Sequence, residues 1–101
     1  MSLASVKAED RRREILCLLA ADSQEAASAD VLHRALNSLG SAFRASESQV
    51  RGDISWLAQH GLVEAEELRH DVIVATLTGE GRDVAAGDLV VPGVSRRLRG
   101  R

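Results

Sequence analysis

Between Ser46 and Leu77 the chain changes periodicity across a single glycine, and that change restricts its fold more than any other feature. Ser46-Glu47-Ser48-Gln49 spells a capping box. Ser46 can accept from a backbone N–H of the first turn while Gln49 reaches back to the Ser46 N–H. Val50, Ile54 and Leu57 then stand one above another, which predicts a helix to about His60, stopped by Gly61. Beyond the glycine the period falls to two. Leu62, Glu64 and Glu66 alternate with Val63 and Ala65, and Val72-Ile73-Val74 is β-branched throughout. Residues 62–66 and 72–77 therefore read as the strands of a hairpin, with the polar tip Glu67-Leu68-Arg69-His70-Asp71 between them.

Two helices precede this unit. The first is expected from about Val6 to Ala21, with Ile15, Leu16, Leu18 and Leu19 as its apolar face and a charged first half, Glu9 to Glu14. Asp22 to Ala27 is small and polar and reads as a connection. The second helix is expected from Ala29 to Leu39, capped by Ser28 and ended by Gly40, with Val31, Leu32, Ala35, Leu36 and Leu39 on its apolar side. Ser41 to Ala45 is a connector that leaves room for a short strand and directs Phe43 toward the core. After the hairpin, Thr78 caps a short fourth helix to Ala86, closed by Gly87. From Asp88 onward, broken by Pro92-Gly93, the chain reads as an extended tail. The expected architecture is a mainly α domain with a small β-hairpin wing over residues 1–87, followed by a basic tail over 88–101.

Composition narrows what such a domain can do. Aromatic residues make up 2% of the 101, with one Phe, one Trp and no Tyr. The core must be aliphatic, and the rows of aromatics on which single-stranded nucleic acids stack are absent. Cys17 is the sole cysteine, so neither an internal disulfide nor a cysteine-based zinc site can form, and a buried structural thiol is expected. His33, His60 and His70 fall on three different elements without an acid at metal-site spacing. No glycine-rich phosphate loop or nucleophile motif is present. The expectation is a protein without catalytic, metal or cofactor chemistry. No apolar run approaches the roughly 20 residues needed to span a bilayer, and the charged opening is no signal peptide, so a cytoplasmic location is expected.

The order of elements is that of the winged helix-turn-helix. Trp56-Leu57-Ala58-Gln59-His60-Gly61-Leu62-Val63 resembles the end of a recognition helix entering a wing. Leu77-Thr78-Gly79-Glu80-Gly81-Arg82 resembles the exit from the wing in bacterial MarR- and ArsR-like regulators. A resemblance over nearly the whole chain is carried by Ala8-Glu9-Asp10-Arg11-Arg12, Gln49-Val50-Arg51 with Asp53 and Trp56-Leu57, Val74-Ala75-Thr76-Leu77-Thr78, Asp83-Val84-Ala85-Ala86-Gly87 and Val91-Pro92-Gly93-Val94. In these segments the chain is similar to small proteins of Mu-like phages and prophages, sometimes labelled ArsR-like. That resemblance implies a phage or prophage origin, hence the host cytoplasm, and a winged helix fold. It implies no particular activity.

In a winged helix that holds DNA, the third helix enters the major groove and the hairpin touches phosphate or the minor groove. Burial of Val50, Ile54 and Leu57 turns Ser48, Arg51, Gly52, Ser55 and Gln59 outward. Arg51 is suited to guanine, Gln59 to adenine, and the serines to base or phosphate, while Gly52 permits close approach. The same face also suits docking of a protein partner, or plain solvation. Arg69 and His70 are the wing's candidate contacts, but Glu66, Glu67 and Asp71 flank them, and a solvated tip is the favoured reading. Arg11, Arg12 and Arg13 are expected on a solvated face, paired with Glu9, Asp10 or Glu14. Trp56 is expected to pack on the first helix or the wing.

Charge divides the chain. Residues 1–87 carry nine Lys/Arg against fourteen Asp/Glu, whereas residues 88–101 carry Arg96, Arg97, Arg99 and Arg101 against Asp88 alone. The acidic domain argues against strong nonspecific binding to DNA. The tail can lie along phosphates, dock on a protein surface or serve solubility. Two classes of partner stay open: double-stranded DNA, held by a homodimer, or another phage protein.

Overall fold

The structure, a computed structural model, describes residues 2–96. It contains four helices and a three-stranded antiparallel sheet: α1 (Leu3–Ala21), β1 (Ala26–Ser28), α2 (Ala29–Ser38), α3 (Glu47–Gln59), β2 (Val63–Glu67), β3 (Ile73–Leu77) and α4 (Gly79–Ala86). The sheet order is β1-β3-β2. The fold is thus mixed α and β, with one strand more than the expected hairpin.

That strand is β1, where the sequence reads as a polar connection. Ala26, Ala27 and Ser28 carry no strand preference of their own; pairing with Thr76, Ala75 and Val74 of β3 makes them extended. On the other side of β3 the hairpin runs in register from Val63↔Leu77 to Glu67↔Ile73. Ser41–Phe43, the expected connector, is a single 3-10 turn, and Phe43 packs partly buried against the core.

Helix ends follow the local chemistry. Ser2 caps α1 by accepting from the Ser5 N–H, so the helix begins at Leu3, three residues before the expected start. Ser28 accepts from the Val31 N–H at the head of α2. Both halves of the capping box form at α3: Gln49 N–H donates to Ser46 Oγ at 3.1 Å, and Ser46 N–H donates to Gln49 Oε1 at 2.9 Å. His33 and Asn37 hold the connection into α3, with the Ala45 N–H donating to Asn37 Oδ1 and His33 Nε2 lying 3.0 Å from the Ala45 carbonyl.

The core is aliphatic throughout. Ile15, Leu16 and Leu19 of α1 meet Leu32 and Leu36 of α2, Val50, Ile54 and Leu57 of α3, and Val84 of α4, closed on the sheet side by Leu62, Val63, Ala75 and Leu77. Val31 and Leu39, expected on the apolar side of α2, are instead exposed. The connection between hairpin and α4 is a clasp. Thr78 Oγ1 accepts from the Gly81 N–H and donates to the Gly61 carbonyl, and the Thr78 N–H donates to the Leu62 carbonyl. Gly81 is buried so closely against Leu62 that a Cβ there would collide with the Leu62 carbonyl.

The segment after α4, expected as an extended tail, is irregular backbone that folds back onto α1. Val94 enters the core cluster, and the Ser95 N–H donates to the Glu9 carbonyl. A turn at Pro92-Gly93 carries it past Trp56.

Candidate functional site

Helix α3 is held on two flanks. On one, Val50, Ile54 and Leu57 are buried in the core. On the other, Asp53 is buried beneath α1, where Arg11 Nε donates to its Oδ2 at 2.8 Å and Arg12 Nε lies 3.8 Å from its Oδ1. Burial pushes the Asp53 carboxyl above its ordinary range, and the hydrogen bond and charge of Arg11, with the charge of Arg12, pull it back only in part. Desolvation outweighs attraction. The cluster ties α1 to α3 through a buried, charge-assisted hydrogen bond.

This overturns the expectation that Arg11, Arg12 and Arg13 form a solvated, locally paired face. Arg12 donates to the Gly93 carbonyl at 2.9 Å and lies over the Trp56 ring, 4.3 Å from its centroid. Arg13 donates to the carbonyls of Val84 and Ala85 in the last turn of α4, and to that of Ser95. Three successive residues of a helix point in three directions, so once α3, α4 and the returning segment cover α1, all three arginines meet protein. Trp56 packs on α1, one of its two expected positions, under Arg12, with His60 stacked on it at 3.7 Å between ring centroids.

The remaining flank of α3 faces solvent. Ser48, Gly52, Ser55 and Gln59 are exposed and lie together along it. Gly52 is the odd member: a Cβ added there would meet nothing within 4 Å. No packing inside the protein requires a glycine at that point. Among the described residues, the large exposed apolar side chains all lie outside α3. Arg51, expected to point outward with this set, is half-buried toward the hairpin. Its Nη2 donates to the Asp71 carbonyl at 2.6 Å, and its Nε lies 3.5 Å from Glu47 Oε1.

Arg69 and His70 are exposed at the hairpin tip, in the company of Glu66, Glu67 and Asp71. Arg96 is exposed beyond the folded-back segment, and Arg97, Arg99 and Arg101 lie outside the described residues. The described residues contain ten Lys/Arg against all fifteen Asp/Glu of the chain, and three of those arginines are used inside. Sequence reasoning missed Asp53 and the three arginines as a unit. The available signal was one acid on the buried side of α3 and the run of three cations in α1. Among the described residues no group of three His, Cys, Asp or Glu side chains is placed to hold a metal ion. No described helix is long and apolar enough to cross a membrane.

The uncharacterized protein gp26 of Escherichia phage Mu is 43% identical to this chain over 88 residues, which cover 87% of the chain and 88% of gp26. The chain belongs to the gp26 family. The kinship with a Mu-like phage implied by the sequence therefore holds, and it extends over nearly the full length of both proteins. No family model and no solved structure matches the chain.

Proposed function

We propose that the chain is a phage-encoded winged helix protein that binds double-stranded DNA with the outward flank of α3, in the cytoplasm of the host, without catalysis. The order of three helices, hairpin and fourth helix supports the winged helix reading, with β1 as the strand that completes a small sheet. The observation that carries the DNA reading is the makeup of the exposed α3 flank. It offers hydrogen-bonding side chains at Ser48, Ser55 and Gln59 around a glycine that nothing internal explains. A glycine in mid-helix costs about 1 kcal/mol relative to alanine. What offsets that cost lies outside the protomer, in a backbone that must come close. A flank without large apolar side chains suits the groove of a duplex better than a protein hot spot, which is built on aromatic and aliphatic anchors. A module of this size covers little DNA, so a homodimer reading two half-sites is the working unit. Such a protein serves as a regulator or a DNA-handling accessory.

A second reading has one specific observation behind it. Among the described residues, fifteen Asp/Glu against ten Lys/Arg, with Arg11, Arg12 and Arg13 turned inward, leave an acidic surface, which suits docking to another phage protein. Mobility-shift titrations of the full chain against fragments of the encoding phage genome and against random duplexes decide between the two. The DNA reading expects some fragments to be retained preferentially, with affinity that falls as salt rises. Equal and negligible retention of all duplexes at low salt would refute it and leave protein docking.

A further inference from the structure

We propose that Arg51 is a positioning residue that latches the hairpin tip to α3, so that helix and wing meet their partner as one preset surface. The inference rests on the reading of α3 and hairpin as the contact surface, but it concerns the free protein and is tested there.

The tip lacks the glycine or asparagine that such a turn prefers. His70 and Asp71 both have φ of 61°, the left-handed region in which a Cβ crowds the backbone. Inside the tip the Leu68 N–H donates to the Val72 carbonyl at 2.6 Å, and the Val72 N–H donates to the Arg69 carbonyl at 3.4 Å. Apolar packing holds the tip only in part, because Leu68 and Val72 are 45% and 42% exposed. The tip also stands off from its neighbours across an open groove of about 360 Å³, whose lining includes Ser28, Asp30, Glu47, Arg51 and Val72.

Among the described residues, the side-chain hydrogen bond that reaches residues 68–72 from elsewhere is the one from Arg51 to the Asp71 carbonyl. Glu47, one turn earlier on α3, holds the same guanidinium at Nε. The base of this arm is rigid, since its neighbour Val50 is fully buried. A strained, partly packed turn thus takes its position from a cation anchored on α3. With Nε and Nη2 engaged, Arg51 does not present the free fork that a bidentate contact to guanine requires. Direct reading falls to Ser48, Ser55 and Gln59, and Arg51 sets where Arg69 and His70 stand.

The test is amide hydrogen exchange on the full chain without DNA, comparing wild type with Arg51→Ala, Arg51→Lys and Glu47→Gln. Arg51→Ala should speed exchange at Leu68 and Val72 by about tenfold, the scale of one charge-assisted hydrogen bond, while Ala75 and Leu77 keep their protection. Arg51→Lys should restore part of it, because an ammonium still reaches a carbonyl. Glu47→Gln, which leaves the core untouched, should give a smaller acceleration at the same two amides. It decides the matter should Arg51→Ala unfold. Unchanged exchange at Leu68 and Val72 in Arg51→Ala, or in Glu47→Gln if the alanine variant is unfolded, overturns the latch. If the tip loosens in these variants while no duplex binds wild type, the latch stands and the DNA reading fails. If Arg51→Ala abolishes discrimination among duplexes with the tip unchanged, Arg51 reads bases and the latch is wrong.

Discussion

Asp53 is the residue on which the seating of α3 turns, and its chemistry sets the first expectations. Asp53→Leu strands two guanidiniums under α1 and should cost about 3–5 kcal/mol in urea unfolding. Adding Arg11→Met to it should recover at least about half of that loss, because the pair as a whole gains little over apolar packing. Glu25 provides the contrast in pH. Its carboxylate accepts two hydrogen bonds from Arg82, and that bonding holds it below the ordinary range. Stability from Glu25 is therefore present above the unfolded carboxylate pKa and lost as pH falls through the native value. Asp53, raised by burial, has the opposite sign: its contribution is complete below the unfolded pKa and lost as pH rises through the native one. Melting temperatures between about pH 3 and 7 should show a flatter acid limb for Glu25→Gln and a steeper one for Asp53→Asn. The exposed Glu25 pair is screened, so its effect is the smaller and fades with salt. Of this residue chemistry the sequence carried one signal, an acid on the buried side of α3 opposite a run of three cations. Arg11, Arg12 and Arg13 read as solvated because Glu9, Asp10 and Glu14 offer local partners, and their true partners are 42 to 82 residues away in sequence.

At the scale of elements, legibility followed how local the determinant is. The capping box, the Gly61 stop and the Thr78 cap act within a few residues, and all stand where the sequence puts them. Ser46→Ala should cost about 1 kcal/mol in chemical unfolding, the worth of one such cap. β1 is the opposite case: nothing in Ala26-Ala27-Ser28 favours a strand until β3 lies beside it. The segment 91–95 is another. Its turn was visible in Pro92-Gly93, its destination on α1 was not. Gly93 has φ of 97° and sits where a Cβ would enter the Trp56 ring. Gly93→Ala should lift the segment from Trp56, the sole tryptophan, and shift its fluorescence to the red while far-UV circular dichroism changes little. An unshifted spectrum would mean that the contact yields without moving the segment.

For the whole molecule, the sequence located the outward flank of α3, because Val50, Ile54 and Leu57 fix which side is buried and leave Ser48, Gly52, Ser55 and Gln59 facing solvent. It could not place Arg51, whose partner is a backbone carbonyl twenty residues on. The account holds that this flank is kept clear for a duplex at a cost in stability, and Gly52 is where cost and use meet. Gly52→Ala, with open space around the new methyl, should raise stability by about 1 kcal/mol. The direct test is a low-salt fluorescence-anisotropy titration of a retained phage-genome duplex with wild type and Gly52→Ala side by side. The more stable variant is predicted to bind the duplex more weakly and to discriminate less against random sequence. Equal binding by the two proteins, or none by either, would contradict the account.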